Sequence, residues 1–330
     1  MADLLVLGGT AWLGREVARV AVERGHAVTC LARGQAGAVA DGVRWVRADR
    51  SRAGAYDEVS DRDWDAVVDV SWQPGLVRSA VMALGGRAAH WTYVSSCSVY
   101  ADHAVVGADE TAAVLVPTQD DAATRETYGE AKVACELAVT EALGDRAMLA
   151  RAGLIGGPGD PSDRFGYWVG RFALAGDGPV LVPAAPDQPT QTIDVRDLAA
   201  WLVHAGEVST SGVLNAVGEQ HRLGQVLDEA RRVAGGQAVA VSAEPQWLQD
   251  NEIEGWAGAR SLPLWLPGSD HAGFGARADG AAVAAGLTRR CIADTLADTL
   301  DDERARGLDR PRQAGLTRAR ELELLDALRQ

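Results

Sequence analysis

The feature that most constrains the fold of this chain is the stretch "LVLGGTAWLG" near its start, where an apolar run ends at two glycines. Residues 4–7 are predicted to form a strand, and residues 15–24 carry apolar side chains at helical spacing until Gly25 ends the pattern. A strand, a tight glycine turn and a helix direct backbone N–H groups and the positive end of the helix at an anion. No Lys-Ser or Lys-Thr follows the last glycine, so the turn is not a P-loop. The turn is predicted to hold an anion, usually the pyrophosphate of a dinucleotide, and the alternative is an ordinary strand–helix turn that contains glycines.

The alternation of strand and helix continues through the first half of the sequence. Further strands are predicted at residues 27–31, 43–46, 66–70, 91–94 and 147–151, with helical stretches near 52–60, 74–85 and 126–143. Such alternation implies right-handed crossovers and a parallel sheet with helices on both faces. We therefore predict a doubly wound α/β fold that binds its ligands at the carboxyl ends of the strands.

A change of pattern marks a second lobe. The stretch "AGLIGGPGDPSDRFG" is rich in glycine and proline, and the elements after it are shorter and less regular. We predict a dinucleotide-binding domain over residues 1–155 and a smaller, mixed substrate lobe over residues 156–330, with a segment near 192–216 returning to the first sheet. Strands are expected at 180–182 and 212–216, a helix opens in "TIDVRDLAAWLVHA", and "GLTRARELELLDALRQ" is expected to be a charged surface helix.

Composition excludes several classes of function. The 330 residues include 32 basic and 46 acidic side chains, and the net charge of −14 disfavours nucleic acid and anionic lipid as partners. The four cysteines form no CxxC pair and the six histidines form no HExxH motif, which predicts a reduced protein without a metal. The sequence shows no basic leader, and none of its apolar runs approaches the ~18 residues of a membrane span. We therefore expect no membrane association and a cytoplasmic location.

Two further motifs suggest catalysis. In "YGEAK", Tyr128 and Lys132 share one face of a predicted helix, where the lysine charge is expected to lower the pKa of the tyrosine and make it a proton donor. In "YVSSCSVY", Ser96 follows the predicted fifth strand and could hydrogen-bond a substrate oxygen beside Tyr128. Each motif alone could be structural. It is improbable, however, that the glycine turn and these two motifs occur by chance in this order, each in its expected context.

Together these motifs resemble the extended short-chain dehydrogenase/reductase family, the NAD-dependent epimerase/dehydratase group. The resemblance extends over most of the chain and includes "RAGLIGGPGD" and "IDVRDLAAWL". It implies a Rossmann fold in which Ser96 and Tyr128 flank the reacting carbonyl, Lys132 holds the nicotinamide ribose and Asp49 contacts the adenine. The residues it places along the pyrophosphate are Gly8, Thr10, Trp12, Leu13 and Gly14. The nicotinamide ring is expected against residues 151–154, mostly through backbone, and a homodimer built on the helix of Tyr128 is compatible with the family.

Departures from the family pattern refine the prediction of the cofactor. Ala11, which is also expected at the dinucleotide, replaces the middle glycine and gives the "GGTxxLG" variant of a subgroup. After the second strand, NAD-specific members carry an acidic residue for the ribose hydroxyls, whereas this chain has Ala32 followed by Arg33. The resemblance therefore implies NADP as cofactor, with NAD as the alternative.

Other departures concern the substrate. Ser96 is followed by Cys97 and Ser98 rather than by the Asp-Glu pair of dehydratases, so dehydration is disfavoured. Residues 190–192 are Thr-Gln-Thr, where sugar-nucleotide epimerases usually carry an arginine for the diphosphate. A nucleotide sugar loses support, although Arg164 or Arg171 could supply a clamp.

Three functions remain. The first is an NADP-dependent oxidoreductase that moves hydride between nicotinamide and a carbonyl or hydroxyl of a small molecule. The second is an NAD-dependent epimerase, acting on a sugar, that uses the same residues and retains its cofactor. The third is a non-catalytic dinucleotide- or RNA-associated binding protein, against which the intact Ser96, Tyr128 and Lys132 and the acidic charge both argue.

Overall fold

The computed structural model describes residues 1–329; Gln330, the last residue of the predicted terminal helix, lies outside the described residues. The strands, in chain order, are β1 (Asp3–Leu7), β2 (Ala27–Leu31), β3 (Arg44–Val46), β4 (Trp64–Asp69), β5 (Ala88–Ser96), β6 (Ala147–Ala152), β7 (Leu154–Gly156), β8 (Pro179–Pro183), β9 (Pro189–Asp194), β10 (Gly212–Ala216), β11 (Gln220–Arg222), β12 (Val239–Ala243), β13 (Glu254–Trp256) and β14 (Ser261–Pro263). The helices are α1 (Trp12–Glu23), α2 (Pro74–Leu84), α3 (Tyr128–Leu143), α4 (Arg164–Ala175), α5 (Val195–Val208), α6 (Leu223–Val233), α7 (Pro245–Asp250), α8 (Gly280–Ala284), α9 (Ile292–Arg306) and α10 (Arg318–Leu328).

The centre of the first lobe is a seven-stranded parallel sheet in the order β10-β6-β5-β4-β1-β2-β3. From β1 the chain builds outward through β2 and β3, then returns to β4 on the other side of β1 and continues outward. The direction of winding therefore reverses at the carboxyl ends of β1 and β4, which is where doubly wound sheets bind ligands. The predicted Rossmann-type α/β fold is confirmed.

Both faces of this sheet are covered because alternate residues of each strand point to opposite sides. Val6 packs on the face covered by α1 and α5, together with Val17 and Leu198. Leu5 packs on the other face with Val77 of α2 and other apolar side chains from α2 and α3. This burial on both faces explains why residues 4–7 of β1 are all apolar.

One predicted helix is wrong. Residues 52–60 form successive turns, although their composition is compatible with a helix. The backbone N–H and hydroxyl of Ser51 both donate to Asp49 Oδ1, at 3.1 and 2.8 Å, and Gly54 adopts a left-handed φ of +75°. These local bonds compete with helical ones and leave the segment as a loop.

The second lobe is built from small sheets around its own core. A three-stranded sheet has the order β11-β9-β7, and β8 with β12 and β13 with β14 form parallel pairs. Tyr167 and Trp168 are buried in this core. Within the predicted returning segment, β9 belongs to the small sheet, α5 covers the first sheet, and β10 pairs with β6 at its edge. The exact domain boundary near residue 156 stays a prediction.

Two features are absent from residues 1–329. No helix there is both long and apolar enough to cross a bilayer. In that same range, no group of three or more His, Cys, Asp or Glu side chains is placed to hold a metal ion.

Candidate active site

The glycine turn after β1 has the shape that a pyrophosphate requires. Gly8 has a φ of +99°, and a Cβ on Gly14 would lie 2.4 Å from the Gly8 carbonyl oxygen. Helix α1 begins directly after this turn with Ala11 as its N-cap, and no side chain caps its first N–H groups. Because those N–H groups have no partner within the helix, they are free to donate to an anion. The turn therefore fits a dinucleotide, with Gly14 beneath it rather than at the cavity wall.

A pocket of about 170 Å³ continues from this turn across the ends of β2 and β3. Its lining includes the predicted residues Gly8, Thr10, Ala11, Ala32, Arg33 and Asp49. Ala32 is buried and Arg33 is exposed. Hydrogen bonds from Ser51 hold the pKa of Asp49 below its usual value, so this carboxylate stays charged. The pocket has the position and composition expected for the adenosine half of a dinucleotide.

The sequence analysis missed a buried ion pair that forms part of this pocket. Arg50 donates to both oxygens of Asp69, at 3.1 and 3.0 Å, and also to the carbonyl of Leu76 at 2.7 Å. Asp69 is fully buried at the end of β4, and Arg50 lines the pocket. The sequence signal for this pair was the aspartate inside the apolar stretch "AVVDV", because a buried carboxylate needs a partner.

The three predicted catalytic residues line one cleft. This cleft has a volume of about 900 Å³ and extends from Ala11, Trp12 and Leu13 to Ser96, Tyr128 and Lys132. Ser96 ends β5, and its hydroxyl accepts the N–H of Ser98 at 3.1 Å. Tyr128 begins α3 and is half-buried. The parallel sheet thus brings together motifs that lie far apart in the sequence.

Lys132 is the single lysine of the chain, and its side chain is buried. Its ammonium donates to the carbonyls of Ser71 at 2.9 Å and Val94 at 2.6 Å, and to the hydroxyl of Tyr93 at 3.2 Å. Burial lowers the pKa of Lys132 to about 8. The lysine is therefore mainly charged at neutral pH, and it lies at the ends of β4 and β5.

The pKa of Tyr128 is not lowered as the sequence analysis predicted. The Lys132 ammonium lies 5.9 Å from the centroid of the Tyr128 ring and donates to other groups. Burial raises the pKa of Tyr128, while the Ser96 hydroxyl and the charge of Arg164 act in the opposite direction. Ser96 and Arg164 are thus the groups with the largest effect in favour of the phenolate.

The two arginines considered as clamps occupy different places. Arg164 lines the cleft, where Trp72 packs its ring 5.6 Å from that of Tyr128. Arg171 is buried in an ion pair with Glu321 at 3.1 Å, so it cannot act as the suggested clamp. The side chain of Gln191 is bonded to the backbone of Arg277.

The predicted nicotinamide wall, residues 151–154, is split. Ala152, Gly153 and Leu154 line the cleft. Arg151 instead pairs with Glu136 at 2.8 Å in the protein interior. The backbone part of this wall is thus available to a ligand, and the arginine is not.

A phosphate-binding turn at the switch point of a parallel sheet, next to a cleft with serine, tyrosine and lysine, defines an enzyme of the nicotinamide dinucleotide class. The family described as "NAD dependent epimerase/dehydratase family" matches residues 4–216. The chain belongs to this family and is an extended short-chain dehydrogenase/reductase. The resemblance seen in its motifs is confirmed.

Individual relatives agree with this assignment. A dTDP-4-dehydrorhamnose reductase of Streptomyces griseus is 30% identical over 216 residues, which are 63% of this chain and 67% of the relative. The UDP-Glc/GlcNAc 4-epimerase of Campylobacter jejuni superposes with a TM-score of 0.70 at 12% identity, covering 92% of this chain and all of that one. The UDP-glucuronic acid 4-epimerase of Bacillus cereus, solved with NAD, gives 0.66 at 14% identity, with 92% and 99% covered. The structural matches support the fold.

Proposed function

We propose that this chain is a cytoplasmic NADP-dependent oxidoreductase that interconverts a carbonyl and a hydroxyl group on a small molecule. The convergence of Ser96, Tyr128 and Lys132 on the cleft that begins at the glycine turn carries this proposal. When bound, the dinucleotide supplies the hydride donor or acceptor. Ala32 and Arg33 at the adenosine pocket support NADP over NAD.

The protein residues have separate roles in this reaction. Tyr128 gives its phenolic proton to the substrate oxygen during reduction and takes it back during oxidation. Ser96 donates a hydrogen bond that orients the same oxygen. Lys132 holds a positive charge at the ends of β4 and β5, where it would bind the nicotinamide ribose hydroxyls. The N-terminus of α1, with Gly8 and Thr10 before it, would hold the pyrophosphate.

The test is the substitution Tyr128→Phe in a screen of carbonyl compounds followed by NADPH absorbance. Removal of the proton donor is expected to lower turnover by about 10²–10⁴-fold. The affinity for NADPH, measured by calorimetric titration, is expected to stay nearly unchanged. Tyr167→Phe is the matched control, because Tyr167 is buried in the second lobe outside the cleft. Full activity in Tyr128→Phe would contradict the mechanism.

The similarity to two UDP-sugar 4-epimerase structures favours a second candidate, an epimerase that retains its dinucleotide. The two candidates differ in net redox change. A reductase exchanges its cofactor in each cycle, so the purified protein is expected to be largely free of dinucleotide and to consume NADPH in proportion to product. Copurified dinucleotide, with product formed and no net change in nicotinamide absorbance, would select the epimerase instead.

A further inference from the structure

We propose that Arg164 anchors a carboxylate group of the substrate on the wall of the cleft beside Tyr128. This inference rests on the proposed oxidoreductase function and names the class of its substrate, a carbonyl compound that carries a carboxylate. Arg164 lines the same cleft as Tyr128, and this cleft extends to the turn that fits pyrophosphate. The anchor would give the cleft a preference for anionic over neutral substrates.

The guanidinium of Arg164 is held in place while most of its donors stay available. Its Cζ lies 4.9 Å above the ring of Trp256, and its Nε donates to the hydroxyl of Ser162 at 3.1 Å. Within the part of the chain that the structure describes, no carboxylate lies within 4.0 Å of Arg164 and its Nη atoms have no hydrogen-bond partner. A planar fork with both outer nitrogens unengaged suits bidentate binding of a carboxylate.

This state contrasts with that of other arginines in the second lobe. Arg171 pairs with Glu321 at 3.1 Å and Arg290 with Asp197 at 2.8 Å. The carboxylate of Asp160 lies in the same part of the cleft, but both of its oxygens accept hydrogen bonds from Ser162. The charge of Asp160 acts on Arg164, but Asp160 is bonded to Ser162 and forms no ion pair with the guanidinium, so the Nη atoms stay available to an anion.

The residues on either side of Arg164 fix its direction. Asp163, directly before it, has a left-handed φ of +58°, and its carboxylate accepts from Arg306 at 3.1 Å and from the N–H of Gln313 at 2.7 Å. Trp256 has a φ of +66°. Such conformations are unfavourable in non-glycine residues and persist where surrounding contacts impose them, commonly at ligand sites. Both left-handed residues thus contribute to one preformed platform.

Arg164, Trp256 and Tyr128 line the same cleft. The charge of Arg164 also opposes the rise in the pKa of Tyr128 that burial causes. Trp72 contacts Tyr128 from another side. A substrate whose carboxylate pairs with Arg164 would therefore lie over Trp256 with its carbonyl directed to Tyr128.

Calorimetric titration with benzoate and benzamide tests the anchor without requiring turnover. These probes share a ring and a planar head group and differ in charge. The wild type is expected to bind benzoate about tenfold more tightly than benzamide, because the carboxylate of benzoate can form a charge-assisted bidentate pair with Arg164. Arg164→Gln should remove this preference, and Arg164→Lys should keep part of it. Arg231→Gln is the control, because Arg231 lies on α6 outside the cleft.

Equal affinities of the wild type for both probes would overturn the anchor, as would an unchanged preference in Arg164→Gln. Weaker NADP⁺ binding by Arg164→Gln with the benzoate preference intact would overturn it too, because the arginine would then serve the dinucleotide phosphates. Tyr128→Phe separates this inference from the proposed function. A retained benzoate preference in that variant supports the anchor even if turnover also proves independent of Tyr128.

Discussion

Arg33 is the side chain on which the proposed choice of dinucleotide depends. It is exposed at the adenosine pocket, and the neighbouring Ala32 has no carboxylate to repel a 2′-phosphate. A charge-assisted hydrogen bond from Arg33 to that phosphate would contribute about 1.5–3 kcal/mol, or roughly a ten- to hundredfold preference for NADP. Arg33→Ala should remove most of this preference in calorimetric titrations of both dinucleotides.

Arg47→Ala is a suitable control for that experiment. Arg47 is also exposed near the end of β3, but it lies over the ring of Trp45 at 4.5 Å and does not line the pocket. Equal affinities of the wild type for NADP and NAD, or the same ratio in Arg33→Ala, would show that Arg33 does not recognise the phosphate.

Lys132 provides a pH-dependent test of its environment. Burial lowers its pKa from about 10.5 to about 8, so between these values the unfolded chain binds a proton that the folded protein has released. The unfolding free energy of the wild type should therefore rise with pH across this interval, relative to Lys132→Met, by up to about 3 kcal/mol. Urea unfolding of both proteins measures the difference. A difference that does not vary with pH would contradict a depressed lysine pKa.

The same pKa can be observed directly because the chain contains only one lysine. Protein labelled with ¹⁵N at the lysine side chain should give a single Nζ signal, which requires no assignment. Its titration midpoint is expected near 8. A midpoint near the ordinary lysine value would mean that the ammonium is more hydrated than its three protein partners suggest.

At the scale of secondary structure, the N-terminus of α5 depends on Asp194. Its carboxylate accepts the N–H of Arg196 at 2.8 Å and pairs with the Arg196 guanidinium at 2.6 Å. Burial opposes ionisation, but the bonds from Arg196 hold the pKa of Asp194 below its usual value. Asp194→Ala should lower the unfolding free energy at neutral pH by about 2–4 kcal/mol, since it removes both a cap and a buried charge partner.

Asp194→Asn separates the two contributions, because an amide can still cap the helix but carries no charge. The electrostatic part of the stability is present above the unfolded pKa of about 3.9 and is lost as the pH falls through the lower folded value. The gap between wild type and Asp194→Asn in urea unfolding should therefore narrow in acid. A gap that widens below pH ~4 would contradict the lowered pKa.

The elements that could be predicted from sequence are those set by local pattern. Strands such as β2 and β10, and helices such as α3, follow the period of their apolar residues, and the residues of the glycine turn follow from the geometry of a strand joined to a helix. The helix expected at 52–60 failed because the bonds of Ser51 to Asp49 are stronger local determinants than propensity.

Contacts between residues that are far apart in the sequence could not be predicted from such patterns. The Arg50–Asp69 ion pair and the stacking of Arg164 on Trp256 join residues from different elements, and neither has a periodic signature. The partners of Lys132 were missed for the same reason, since Ser71 and Val94 accept through backbone carbonyls that any residue provides. The sequence predicted which side chains are catalytic, whereas their hydrogen-bond partners could be assigned only from the packed structure.

At the scale of the whole molecule, Trp12 connects the two lobes at the phosphate turn. Its indole N–H donates to the carbonyl of Pro158, in the segment between β7 and α4, at 2.9 Å. Trp12→Phe keeps an aromatic ring but removes the donor. We expect dinucleotide affinity to fall by about 2–10-fold, which corresponds to the usual contribution of one hydrogen bond.

Trp201→Phe is the matched control for this substitution. Its indole also donates to a backbone carbonyl, that of Ala285, at 3.0 Å, but it lies outside the cleft. Both variants should lose a similar amount of unfolding free energy, whereas only Trp12→Phe should bind NADP⁺ more weakly in calorimetry. An equal loss of NADP⁺ affinity in both variants would mean that the weaker binding reflects a general loss of stability.

The pairing of β10 with β6 has a consequence for biosynthesis. Once residues 1–155 have emerged from the ribosome, six strands of the large sheet can already form, but β6 is then an open edge. Its final neighbour reaches the nascent protein only after β7, α4, β8, β9 and α5 have been translated. Until then, the exposed N–H and C=O groups of β6 are a site for pairing with other chains, and chaperone binding at this stage would protect the sheet from aggregation.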